Sequence, residues 1–128
     1  HMSTKPVFIN LFKINLPLSG FLSITHRISG LLIFFLILPF SAYFLLTALD
    51  SPEAFQFFFE NLNNNLLIRT FVLFMILIFQ YHVFTGVRHM LLDFHIIGET
   101  LSSSNISAVI TLVLFFINAL VSIWLVLL

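Results

Sequence analysis

One apolar stretch of this chain holds a histidine, His82, with Gly86, Arg88, His89 and Asp93 following it. At 100° per residue, His82, His89 and Asp93 fall in a narrow stripe, and Gly86 lies one turn after His82. A polar stripe on an otherwise apolar helix must face other protein, because ionisable groups inside a membrane segment pair or serve a site. His82 lies six residues inside Arg88, about 9 Å deeper at helical rise. An imidazole at that depth requires either a metal or a hydrogen bond, since an unsatisfied buried polar group costs several kcal/mol. Two readings stay open: a metal-ligating histidine, or one bonded to a Ser, a Thr or a carbonyl of a neighbouring helix. Gly86 fits a flat macrocycle beside the ring, and it equally fits close helix packing.

A second cluster, Ser23, His26, Arg27 and Gly30, shares one face at spacings of three and four. Arg27, with planar bidentate donors, suits a carboxylate such as a haem propionate. Ser23 and Arg27 equally suit the carbonyl of a quinone. The plain alternative is a snorkelling Arg and a capping Ser at a helix end. Arg88 and Asp93 read as interface anchors or a local ion pair, and His89 as a proton carrier or an interfacial residue.

If His82 takes an iron, His89 cannot oppose it, because the two project about 10 Å apart from one face of a rigid helix. His26 and His95 lie near the interface and are expected to be too shallow for the same iron. A six-coordinate haem then requires a histidine from another chain.

The elements that position these groups are membrane helices. Hydrophobic residues make up 60% of the chain and charged residues 8%, against about 25% charged in soluble domains, and the mean hydropathy is +1.14. Eighteen Phe residues exceed what a soluble core of this length buries, so lipid must cover much of the surface. A net charge of zero with no basic run argues against nucleic acid as a partner. The absence of cysteine excludes disulfides, cysteine-ligated iron–sulfur clusters and covalent haem attachment in this chain.

A crossing helix needs about 20 apolar residues. The uncharged runs Ile28 to Leu49, Thr70 to Val87, and the stretch after Glu99 meet that need. The expected fold is an all-α membrane protein with three transmembrane helices at about 22–49, 67–93 and 105–128. Residues 1–20 form a cytoplasmic lead-in and 21–128 the membrane anchor domain. Pro6, Asn10, Lys13, Asn15 and Pro17 interrupt every apolar run before Leu18, so no signal peptide is expected. Pro39 should kink the first span. Asp50 or Ser51 caps a short interfacial helix, with Pro52 in its first turn and an aromatic face over Ala54 to Phe59. Asn61 to Asn65 and Thr100 to Asn105 read as polar links. With three spans, Lys5, Lys13, Arg27 and Arg88 share one side against Arg69 on the other. That imbalance puts the N-terminus in the cytoplasm, or in the matrix of a mitochondrion.

Together the two clusters resemble a known family. Ser23-Ile24-Thr25-His26-Arg27-Ile28-Ser29-Gly30 is similar to the S-x-x-H-R-x-S-G signature of the cytochrome b556 subunit of succinate dehydrogenase, the large membrane anchor of respiratory complex II. The run from His82 through Gly86, Arg88 and His89 to Asp93 resembles that family's H-x-x-x-G-[IV]-R-H-x-x-x-D signature. Lys5-Pro6-Val7, Leu11 to Pro17 and Glu99-Thr100 fit as well, so the likeness covers the chain from about Lys5.

The resemblance implies that His82 is an axial ligand of haem b, with the opposing histidine supplied by a smaller anchor subunit in a shared helical bundle. It implies that Ser23 and Arg27 bind ubiquinone, with Asp93 beside that pocket, and that His26 and Arg27 lie on the propionate side. Partners would be a flavoprotein, an iron–sulfur subunit and the second anchor, in a bacterial inner membrane. Electrons from succinate would pass to quinone, with haem b as a nearby reservoir. The competing readings are a quinol:fumarate reductase anchor and a non-catalytic membrane scaffold.

Overall fold

The computed structural model describes residues 17–128. Lys5, Lys13 and the rest of the lead-in before Pro17 lie outside the described residues. Four helices make up nearly all of the rest, with no strand among the described residues. Three of them are long and apolar enough to cross a membrane: α1 (Leu18–Ala48), α3 (Leu66–Asp93) and α4 (Leu101–Leu127). The fourth, α2 (Pro52–Asn64), is short and lies between the first two spans. The all-α membrane bundle expected from the hydropathy is therefore what the chain forms.

Helix α1 starts at Leu18, four residues before the expected start, because the carbonyl of extended Pro17 accepts the first helical bond from Phe21 N at 3.1 Å. The irregularity expected at Pro39 takes the form of a π-helical segment, Ile33–Ile37, immediately upstream. Proline lacks an N–H, and its ring clashes with the carbonyl four residues earlier. A wider π turn relieves that clash within a continuous helix.

Ser51 caps α2, its hydroxyl accepting from Ala54 N at 3.0 Å, and Pro52 occupies the first turn. Phe58 on α2 packs on Phe44 of α1 with centroids 5.6 Å apart. The links are shorter than expected from polarity. Asn61 to Asn64 belong to α2, and only Asn65 breaks the helix, its side chain accepting from Leu67 N and Ile68 N to cap α3. Likewise Ser102 to Asn105 are helical, because Thr100 caps α4 by accepting from Ser103 N at 3.2 Å. Asn and Ser runs read as loops by composition, but a cap on each side is enough to hold them in helix.

Helix α3 is central and packs against both α1 and α4. The contacts run through small residues, with Ala108 and Ala119 of α4 and Ser29 of α1 buried, which lets backbones approach where lipid offers no hydrophobic drive. Polar side chains tie α3 to α4 along its length. Arg69 donates to the Val126 carbonyl from Nε at 3.0 Å and from Nη2 at 2.5 Å, and Gln80 Nε2 donates to Ser122 Oγ at 2.7 Å. Outward residues such as Phe35, Leu46 and Leu125 are exposed, as lipid-facing residues must be.

Candidate functional site

The two sequence clusters meet where α1 crosses α3. His26 and His82 stack face to face, with ring centroids 4.2 Å apart and planes 10° from parallel. His89, seven residues beyond His82, approaches His26 at 5.2 Å with its plane tilted by 47°. Each ring of the stacked pair lies over a glycine of the opposite helix. A Cβ on Gly30 would stand 3.2 Å from His82 Cε1, and one on Gly86 would stand 3.1 Å from His26 Nε2. Both helices carry the pattern His-x-x-x-Gly, at His26–Gly30 and His82–Gly86. Because the helices run in opposite directions, the two patterns interlock reciprocally.

His26, expected to be too shallow to share an iron with His82, is thus level with it at the crossing. Helix crossing, rather than sequence depth along each span, sets which residues share a level. The two rings still do not oppose each other across one iron, because they are stacked face to face 4.2 Å apart, with no room for an iron between them. Among the described residues no three His, Asp or Glu side chains are arranged to hold a metal ion.

The inward edge of His82 is hydrogen-bonded. Ser29 Oγ lies 2.9 Å from His82 Nδ1 and 2.6 Å from the His26 carbonyl, which itself lies 3.3 Å from Nδ1. A carbonyl only accepts, so the single Ser29 proton goes to it, and Nδ1 must then carry a proton to donate to Ser29. That arrangement leaves His82 Nε2 as a lone-pair donor with no hydrogen-bond partner among the described residues. A metal-binding histidine commonly gives its other N–H to a carbonyl or similar acceptor. The residues present therefore fit a histidine that would hold a haem iron through Nε2, with Gly30 and Gly86 leaving the crossing thin.

One helix position earlier, Tyr81 bonds Thr25 Oγ1 across the same crossing. Thr25 also donates to the Phe21 carbonyl at 2.8 Å, so the tyrosine hydroxyl is the donor between them. The Tyr81 ring meets Phe115 of α4 edge-on at 5.1 Å.

The remaining expected residues lie around this crossing with fewer contacts. Ser23 is half-buried, and Arg27 is exposed on the same face of α1. Asp93 is exposed as the last residue of α3. It makes no ion pair among the described residues, where the only one joins His95 Nδ1 to Glu99 at 2.8 Å. His95 sits in the loop after α3 with φ of 59°, and both members of that pair are exposed.

Arg88 overturns its expectation as an interface anchor or ion-pair partner. It is 2% exposed and enclosed by α1, α3 and α4. Its Nη2 donates to Ser19 Oγ at 2.9 Å and to the Ser104 carbonyl and Oγ at 3.1 Å, and its Nε donates to Ser107 Oγ at 3.2 Å. The signal for this node was present in the serine-rich start of α4, which composition alone reads as a link.

The family model described as the succinate dehydrogenase/fumarate reductase transmembrane subunit matches residues 2–122. The chain belongs to this family. Within it, the chain is 35% identical over 121 residues to the succinate dehydrogenase cytochrome b556 subunit of Coxiella burnetii, covering 94% of this chain and 95% of that one. It is 37% identical over 90 residues to the succinate dehydrogenase cytochrome b560 subunit of Porphyra purpurea, covering 70% and 71%. The resemblance carried by the two motifs is thus borne out, and the chain is a multi-pass membrane subunit of the succinate dehydrogenase/fumarate reductase type.

Proposed function

We propose that this chain is the haem-b-binding membrane anchor of a succinate:quinone oxidoreductase and forms part of its ubiquinone-reduction site. The observation that carries the reading is the His82 ring, which donates from Nδ1 to Ser29 and has no partner at Nε2 among the described residues. Bound there, haem b supplies a one-electron reservoir close to the quinone.

His82 would hold the group through Nε2, and a second, smaller anchor subunit would supply the other histidine, since His26 is stacked on His82 and His89 lies on the same helix face. His26 and Arg27 lie on the side of the propionates, where the exposed guanidinium of Arg27 offers a bidentate donor. Ser23 and Arg27, one turn apart, orient the quinone by hydrogen bonds to a carbonyl oxygen, and Asp93 lies on the same side of the membrane. The work of these residues is orientation and electrostatics, because the redox chemistry belongs to the cofactors and substrate. The flavoprotein and iron–sulfur subunits dock on the N-terminal face, which the positive-inside count assigns to the cytoplasm of a bacterium. The same site serves fumarate reduction when the electron flow reverses.

Substitution separates these roles. In the assembled complex, His82→Ala should abolish the reduced-minus-oxidised b-type α band. Ser23→Ala and Arg27→Ala should lower quinone reduction by roughly 10-fold or more, as expected for removing a hydrogen bond to a reacting group, and leave dye-linked succinate oxidation intact. An unchanged b-type spectrum in His82→Ala, or parallel loss of both activities in the Ser23 and Arg27 variants, would return the chain to the scaffold reading.

A further inference from the structure

Ser29 is 4% exposed and lies on the inner face of α1, between His26 and Gly30. Hydroxyls in a helix commonly bond a carbonyl three or four residues back. Ser29 does so to His26 O at 2.6 Å, which fixes both its rotamer and the direction of its proton. Its free lone pair then points across the crossing, at 2.9 Å from His82 Nδ1. The bare Gly30 beside it allows the imidazole edge to come that close, since a Cβ there would stand 3.7 Å from Nδ1 itself.

We propose that Ser29 is a positioning residue: its hydroxyl, pinned to the His26 carbonyl, holds His82 in the Nδ1-protonated tautomer that keeps Nε2 available to iron. The inference rests on the reading of His82 as a haem ligand and goes beyond it by assigning the group that orients the ring. A neutral imidazole has two tautomers, and only the one protonated at Nδ1 can ligate through Nε2. Without the hydroxyl, Nδ1 keeps only the longer contact of 3.3 Å to the His26 carbonyl. The ring is then held less firmly and is a poorer electron donor, because the acceptor on its far side raises ligand basicity. A poorer donor stabilises ferric iron less than before, so the midpoint potential rises.

The test uses the whole complex carrying Ser29→Ala, Ser29→Thr or His82→Ala, with co-purification of all subunits confirming assembly. Two quantities are read: the rate at which apomyoglobin extracts haem in detergent, and the haem midpoint potential. Ser29→Ala should speed extraction by roughly 10- to 100-fold, the usual scale for an outer-shell partner, and shift the midpoint upward. Ser29→Thr, which keeps the hydroxyl, should restore both. Should Ser29→Ala fail to assemble, Ser29→Cys keeps a side chain of the same shape, weakens the acceptor and should move both readouts the same way by less. Parent-like extraction and midpoint in Ser29→Ala, beside haem loss in His82→Ala, would overturn the role of Ser29 and leave the ligand in place. Retention of a normal b-type spectrum in His82→Ala would overturn both.

Discussion

Gly30 and Gly86 sit in equivalent places on their two helices, yet they tolerate a side chain differently. A Cβ on either would press on an imidazole at 3.2 or 3.1 Å, and in both helices alanine is favoured over glycine by about 1 kcal/mol when nothing is touched. The sign of the change depends on whether the ring can yield. His82 is held by Ser29 and by the His26 stack, so Gly30→Ala should overpack the crossing at a cost of about 1–3 kcal/mol. Its complex should lose both haem content and thermal stability. The His26 ring makes no side-chain hydrogen bond among the described residues and can swing by a few tenths of an ångström. Gly86→Ala should therefore be close to neutral in thermal stability. Melting of the two purified complexes in detergent, read beside haem per complex, checks the asymmetry; equal losses would show that His82 is no better held than His26.

At the scale of elements, α3 acts as the strut of the molecule, and polar residues decide how its neighbours register against it. Arg69, Gln80 and Arg88 each reach α4, and Arg88 alone also reaches α1 through Ser19. All of its acceptors are neutral serine groups, so no buried counter-charge is left behind when it is removed. Arg88→Met should consequently cost about 2 kcal/mol, the order expected for hydrogen bonds to a charged donor, well below the loss from breaking a buried ion pair. Arg88→Lys should not recover it, because an ammonium lacks the planar fork that meets Ser19, Ser104 and Ser107 together. Thermal unfolding of the two variants tests this, and full stability in the lysine variant would show that charge alone matters there.

On the scale of the whole molecule, only 11% of the most apolar window of each span is buried within the chain. Most of the apolar surface therefore needs lipid or a partner subunit to cover it. Orientation is directly testable because the chain has no cysteine. Single substitutions Asn64→Cys, at the end of α2, and Glu99→Cys, after α3, lie on opposite sides of the membrane. A membrane-impermeant maleimide should label the first in right-side-out vesicles and the second only in inverted ones. The reverse pattern would reject an N-terminus in the cytoplasm.

Much of this architecture was legible in the sequence, and the reason is local. Span length, the charges that bound each span, the cap at Ser51 and the stripe joining His82, His89 and Asp93 all follow from the neighbours of each residue along one helix. The Asn and Ser runs misled for the same reason, since composition reports turn preference and cannot show that Asn65 and Thr100 cap helices around them. How two helices cross is a different matter, because lipid is as apolar as the helices and leaves their rotation to a few small and polar residues on both. The tertiary structure alone therefore decided that His26 meets His82, that each ring rests on the other helix's glycine, that Ser29 holds His82 Nδ1, and that Arg88 is enclosed rather than at the interface.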